Sequence, residues 1–409
     1  MKQEYPFKTI SLFSSLNLLE PLWSKEKNLK IVKLVIRLLF VVWVLIIPGC
    51  SSDDTGTEDM PIAENPINDD PIDTDDPLGT SLYFPSVNMD TWETVSVDTL
   101  GWNTDAEQPL FDFLEERDTK AFIILKEGRI ALEAYFNGAT ASDSHPWYSA
   151  GKTLVAFTVG VAQEEGFLSL DDPSADYLGA GWSNLSSADE RNIQIRQHLT
   201  MTTGLDYNVS NVNCTDADCF TFLNEPDTFW YYHNATYTLV QQIVAGALDD
   251  DFDTYFNSKI KNPIGMSGDW VQLGFARVYY SDARSMARFG LLNLSEGKWE
   301  DQLLLTDTVY FDEMTTTSQD MNPAYGYLWW LNGKGSYRVP ASELEFSGKL
   351  IPSAPDDLIA GLGKDDQKLY VVPSEGLVIV RLGDDGGETL LGPSSFDNEL
   401  WEKINALIN

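Results

Sequence analysis

Four residues in two short motifs have the types and spacing to do chemistry together. Ser149 and Lys152 stand three apart in Ser149-Ala150-Gly151-Lys152, just before a run from Thr153 to Glu165 whose apolar spacing predicts a helix. Residues three apart on a helix share a face, so the lysine amine falls within reach of the serine hydroxyl. That pairs a nucleophile with a proton acceptor. The first turn of a helix also gathers free backbone N–H groups at the positive end of the dipole, where a developing oxyanion is stabilised. The second motif, Tyr232-His233-Asn234, precedes a helical run from Thr236 to Ala247. In an extended loop residues two apart face one side. Tyr232 as proton carrier and Asn234 as hydrogen-bond donor would then both point at Ser149. Either motif alone recurs by accident in long chains, and the weight lies in their combination.

The surrounding elements must bring these motifs together. A helix from about Asp105 to Glu116, with Pro109 tolerable only in its first turn, leads into Lys120–Lys126, the turn Glu127-Gly128, and Arg129–Tyr135, which read as a β-hairpin. Helical periodicity dominates from Thr153 to Leu304, in Thr153–Glu165, Ile193–Met201, Thr236–Ala247 and Asp282–Leu294. Strand signals return at Lys368–Val372 and Leu377–Arg381 before a closing helix, Ser395–Ile408. Strands at both ends with helices between predict an α/β (α+β) lobe assembled from the two termini, with an all-helical lobe inserted. No internal repeat is apparent.

With both motifs in place, the sequence resembles the β-lactamase-related serine hydrolases, which include class C β-lactamases, D-alanyl-D-alanine peptidases, esterases and 6-aminohexanoate-dimer hydrolases. The resemblance covers about residues 81–409. Ser149-Ala150-Gly151-Lys152 is similar to that family's S-x-x-K, and Tyr232-His233-Asn234 with Tyr237 and Leu239 is similar to its Y-x-N-x-x-Y-x-L. Further similar stretches are Ile195–Leu205, Tyr280–Gly290 and Tyr325–Trp330. The resemblance implies a β-lactamase/transpeptidase-like fold, an antiparallel sheet flanked by helices. It implies that Ser149 attacks an acyl carbon, that Lys152 and Tyr232 relay its proton, and that Asn234 orients Lys152 and the substrate. A lysine serves as base only where burial or positive neighbours disfavour its charged form, and a tyrosine only where cations hold it ionised. Which of the two takes the first proton stays open at this point.

The third family motif, Lys-Thr-Gly or His-x-Gly on a late strand, is matched by Gly361-Leu362-Gly363, so Gly361 stands where a basic residue often does. By the resemblance Gly363 leaves room for the acyl group, and the backbone N–H of Lys364 pairs with that of Ser149 as the oxyanion hole. Tyr148, His233, Gly361, Leu362 and Gly363 are the expected pocket residues. A basic group at position 361 would help hold a substrate carboxylate. Its absence points to esterases or amidases of small molecules, ahead of a peptidoglycan-directed D,D-peptidase or weak β-lactamase. A non-catalytic sensor of the same fold is the reading from another class.

The remaining signals set the surroundings. Acidic residues (63) outnumber basic ones (27), a formal charge of −36 that repels polyanions and excludes nucleic acid as a partner. Lys25, Lys27, Lys30, Lys33 and Arg37 precede the short apolar run Leu38–Ile47, and Ile47-Pro48-Gly49-Cys50 resembles a bacterial lipobox. Residues 1–49 then read as a lipoprotein signal peptide, Cys50 as the lipidated residue, 50–79 as an acidic, proline-rich, disordered tether, and 80–409 as the hydrolase domain. The expected location is a bacterial membrane, the outer one, on its periplasmic or cell-surface face. Cys214 and Cys219 read as a disulfide of an exported protein, since two thiols with no further ligand cannot complete a zinc shell. The histidines His145, His198 and His233 show no metal-ligand spacing. Asp249-Asp250-Asp251-Phe252-Asp253 lacks the glycine and closing glutamate of a calcium loop. No cofactor is expected, because the chain has no phosphate loop, dinucleotide fingerprint or H-E-x-x-H.

Overall fold

The computed structural model describes residues 81–89, 91–387 and 393–409. The lipobox cysteine Cys50, the leader and the acidic tether lie outside the described residues. Thr119–Lys126 (β1) and Arg129–Tyr135 (β2) form the expected antiparallel hairpin around Glu127-Gly128. His145–Pro146 (β3) is a two-residue strand that pairs with Ala276–Ser281 (β5), itself the partner of Asp269–Leu273 (β4). The late strands are Trp330–Leu331 (β6), Ile359–Leu362 (β7), Lys368–Val372 (β8) and Leu377–Gly383 (β9). The main sheet runs β2-β1-β9-β8-β7-β6, antiparallel throughout, so strands from both ends of the chain meet at the β1–β9 pair.

Six helices matter for the site: Glu107–Glu116 (α1), Lys152–Glu164 (α2), Ile195–Thr200 (α3), Asn234–Leu248 (α4), Ala283–Leu294 (α5) and Ser395–Ile408 (α6). β8 and β9 are buried along their whole length because both faces of the sheet are covered. Lys368 and Tyr370 reach Asp397 of α6 on one face, while Leu369 lies against Gly290 of α5 on the other. This is the period-two alternation of a strand expressed in a fully buried setting. α2 is buried continuously from Lys152 to Ala162. A helix apolar around its whole circumference belongs inside a core, and this one holds its N-terminal end, with Ser149 just before it, against the end of β7.

Two expectations need correction. The helix expected over 193–201 shortens to α3, because the Gln194–Gln197 capping box starts it late and Met201 ends it in a left-handed conformation, φ 62°. The insertion is also not all helical, since it contains the β4–β5 hairpin. β5 reads Ala-Arg-Val-Tyr-Tyr-Ser, rich in β-branched and aromatic residues, and its Tyr280 pairs with Pro146. That register places the hairpin beneath the serine motif. A smaller apolar cluster of Trp182, Ile193, Leu205, Phe220, Ala235 and Leu239 lies within the insertion.

Candidate active site

The turn carrying Ser149 is anchored from below. Trp147 is fully buried, its backbone N–H donates to Tyr279 O at 2.8 Å, and its indole N–H donates to Ser281 Oγ at 2.8 Å. The chain then makes a 3₁₀ turn over Tyr148–Gly151 and passes directly into α2. Tyr148 enters that turn at φ +46°, a conformation non-glycine residues seldom adopt, next to the nucleophile. Ser149 is the second residue of the turn, where a backbone N–H has no acceptor within the helix. The serine remains partly exposed while Ala150 and Gly151 are buried.

Lys152 is buried to 2% exposure, with Nζ 2.8 Å from Ser149 Oγ and donating to Asn234 Oδ1 at 3.1 Å. The same nitrogen sits 3.9 Å from the Tyr237 ring centroid and 4.8 Å from that of Tyr232. Burial holds its pKa well below the ordinary lysine value. Tyr232 is raised by burial, with a hydrogen bond to Ser149 acting in the opposite sense. Its ring stacks on Trp330 at 5.7 Å and meets Tyr325 edge-on at 6.2 Å, which fixes its direction. Tyr237 is pushed up to about 12 by burial. Burial thus disfavours the charged form of both groups, the ammonium of Lys152 and the phenolate of Tyr232.

Asn234 is the first residue of α4, not part of an extended loop, and while Tyr232 reaches Ser149, Asn234 accepts from Lys152 with its side-chain oxygen instead of donating to the serine. His233 between them faces away. It is 4% exposed, lies 6.4 Å edge-on to Phe220, and has its pKa lowered to about 4 by burial. The expectation that His233 lines the substrate pocket is thus overturned: alternation along 232–234 turns it into the small core of the insertion.

β7 forms the opposite wall. Gly361, Leu362 and Gly363 are buried and Lys364 is exposed. A Cβ on Gly363 would stand 2.3 Å from Trp147 O and 3.3 Å from Ala150 N. Gly363 therefore lets the strand close on the serine turn, and the room expected there for an acyl group is taken up by backbone. A Cβ on Gly361 would meet Thr153 Cγ2 at 3.3 Å and Ala150 O at 3.4 Å, which is tight but free of backbone collision. Lys364 Nζ lies 5.2 Å from the Tyr148 ring centroid and is paired with Asp365. Tyr148 and Lys364 thus meet across the junction of the two segments that carry the expected oxyanion donors.

The spacing of three between Asn234 and Tyr237 on α4 is the signal that assigns Tyr237 to the lysine, a role its place in the motif does not give. The anchoring of Trp147 had no local signal, because its partners Tyr279 and Ser281 lie far off in sequence. Cys214 and Cys219 are joined, with Cα atoms 6.1 Å apart. Among the described residues no three His, Cys, Asp or Glu side chains are grouped to hold a metal, and no helix is long and apolar enough to cross a membrane. A cavity of about 440 Å³ lies elsewhere, lined by Trp92, Ser267, Asp282 and Arg284.

A serine just before a buried helix that carries its lysine, with a tyrosine-asparagine pair beside that lysine and an antiparallel sheet along one side, is the architecture of β-lactamase/transpeptidase-fold proteins. The chain belongs to the beta-lactamase family, whose model matches residues 111–389. It is 26% identical over 263 residues to an uncharacterized protein of Alkalihalophilus pseudofirmus, covering 57% of this chain and 71% of that one. Among solved structures it is similar to a proposed 6-aminohexanoate-dimer hydrolase from Bacillus anthracis, with TM-score 0.58, 17% identity and coverage of 77% and 86% of the two chains. A penicillin-binding protein homolog from Caulobacter crescentus gives TM-score 0.55, 13% identity and coverage of 74% and 97%. These likenesses establish the fold and a hydrolase family.

Proposed function

We propose that this protein is a serine hydrolase that cleaves an ester or amide of a small molecule through an acyl-enzyme on Ser149. The observation that carries the reading is the buried Lys152 amine 2.8 Å from Ser149 Oγ, its charged form disfavoured by burial. Burial disfavours both the lysine ammonium and the tyrosinate, so a resting ion pair of the two would have to be held in a desolvated site. Lys152 is therefore the first base in this reading, and Tyr232 the proton carrier.

As Ser149 Oγ bonds to the acyl carbon, its proton passes to Lys152 Nζ and the carbonyl electrons move onto oxygen. The backbone N–H groups of Ser149 and Lys364 hold that oxyanion. When it collapses, the leaving group departs with a proton from Tyr232 Oη, and the Lys152 ammonium restores the phenol. Water then repeats the sequence on the acyl-enzyme and releases the acid, with Lys152 taking its proton. The basic side chains carried by the site's own segments are Lys152, whose charged form burial disfavours, and Lys364, paired with Asp365. Gly361 adds none, which favours substrates without an essential carboxylate.

The test is hydrolysis of a short-chain p-nitrophenyl ester by residues 78–409, beside Ser149→Ala, Tyr232→Phe and a chromogenic cephalosporin. Turnover should vanish in Ser149→Ala and fall at least about a hundredfold in Tyr232→Phe, the scale of losing a general acid or base. Ester turnover surviving in Ser149→Ala would remove the nucleophile from the mechanism. Efficient cephalosporin turnover would move the substrate class to lactams, and an inert wild type would favour a sensor.

We also propose export and lipidation at Cys50. The lipobox supports this, as does the Cys214–Cys219 disulfide, a bond typical of oxidising compartments. Metabolic labelling with palmitate should mark the full chain and not Cys50→Ser. Equal labelling of both would exclude that anchor.

A further inference from the structure

Immediately after Lys364, Asp365 and Asp366 both take left-handed conformations, φ 56° and 55°. Such conformations cost non-glycine residues energy and persist only where the surroundings over-determine them. What holds them lies behind the sheet. Arg381 of β9 is fully buried, and its guanidinium donates to Asp365 O at 2.8 Å and Asp366 O at 3.1 Å. Its remaining N–H groups reach Arg117 O, Asp384 O and Thr119 Oγ1. The Asp366 carboxylate accepts from Ser394 Oγ at 2.7 Å, from Gly386 N at 3.0 Å and, through an ion pair of 3.1 Å, from Lys368. Lys368 and Asp366 are themselves 0% and 1% exposed. Gln367 completes the fastening, since its O accepts from Gly363 N and its side chain bonds both Gly383 N and Gly383 O.

An extensive ionic network buried beneath a five-residue loop is costly to assemble and a poor source of net stability. What it does supply is a single conformation for the backbone that carries the Lys364 N–H. We propose that Asp366, with Arg381 and Lys368, forms a clamp that positions the Lys364 N–H as an oxyanion donor, so that these residues control the acylation rate without touching the substrate. This rests on the oxyanion role given to Lys364 in the proposed function. The network ties that donor to the start of α6 through Ser394, making the C-terminal helix part of the support of the active site.

The test compares wild type with Asp366→Asn, whose amide nitrogen must face another donor, and with the milder Ser394→Ala, which deletes one hydroxyl. Two readouts are taken on the full chain: amide hydrogen exchange of the 363–367 segment, and ester kcat and KM per reactive Ser149, titrated with a fluorophosphonate. Loss of an oxyanion donor typically costs a hundredfold or more in kcat, so a loosened one should cost about tenfold, with KM nearly unchanged and the pH profile unshifted. Exchange at 363–367 should rise while exchange over α2 stays level. Faster loop exchange with unchanged kcat would overturn the positioning role. Unchanged exchange in both variants would overturn the clamp itself. If wild type shows no Ser149-dependent turnover, it is the hydrolase reading that fails, and hydrogen exchange still decides whether the clamp holds the loop.

Discussion

The two backbone N–H groups expected to face the oxyanion come from segments built in opposite ways. The serine turn and α2 are made by neighbours in sequence: Ser149 and Lys152 are brought together by helical geometry, and apolar residues from Thr153 to Ala162 sink the helix into the core. The 363–367 loop is held by Arg381, Lys368, Gly386 and Ser394, drawn from strands, a late loop and the C-terminal helix. One wall is a local device set into a core. The other has little conformational preference of its own and is imposed by distant partners. The difference predicts how each should fail: damage to the first removes chemistry and spares the fold, while damage to the second misplaces a donor.

Lys152→Met breaks the comparison most sharply. Removing the base should lower ester turnover by about a thousandfold, within the range for general bases. Stability should move the other way. The lysine has its ordinary pKa in the unfolded chain and a lowered one when folded. Over the interval between those values the unfolded state binds more protons, so stability rises with pH there and is diminished at pH 7. A methionine of similar length escapes that penalty. The variant should gain at least about 1 kcal/mol at pH 7, the worth of roughly one pKa unit, and lose the upward slope of stability toward pH 10. Urea unfolding at pH 7 and pH 9.5 checks both. A variant less stable than wild type at pH 7 would mean that the bonds to Ser149 and Asn234 outweigh the desolvation of the amine.

The same contrast decides what could be read from residues alone. Ser149, Lys152, Tyr232 and Asn234 were legible because their spacing sets which side chains share a face, and the structure brings all four together. The β1–β2 and β8–β9 hairpins were legible because their apolar runs flank short turns. The β4–β5 hairpin was not, since it lies among helices and its partner β3 is only two residues long. Alternation along 232–234 carried enough information to turn His233 inward, but only a view of Phe220 and the small core beneath it fixes which face is the cleft. Arg381 and Asp366 had no signal at all. A lone arginine in an apolar strand acquires its role only through the register that sets Arg381 opposite Lys368.

The joint between the two walls gives the finest test, because Gly361 on β7 and Gly363 just past its end meet the serine turn at different distances. At Gly363 an added methyl would collide with the backbone of Trp147 at 2.3 Å, and that backbone is pinned to Tyr279. The strand must therefore move, taking Lys364 with it. At Gly361 the contacts of 3.3 to 3.5 Å are with the Thr153 side chain and Ala150 O, and a shift of a few tenths of an ångström accommodates them. Gly363→Ala should accordingly lower kcat by about a hundredfold, as for a lost oxyanion donor, and destabilise the fold by about 1 to 3 kcal/mol through overpacking. Gly361→Ala should stay within about fivefold in kcat, because a disturbance of about 1 kcal/mol corresponds to roughly that factor. Equal effects at the two positions would mean that the strand approaches the turn as a unit and that Lys364 is not individually placed. A larger loss at Gly361 would move the critical contact from the oxyanion side to the Thr153 face of α2, and with it the part of the wall that needs its register held.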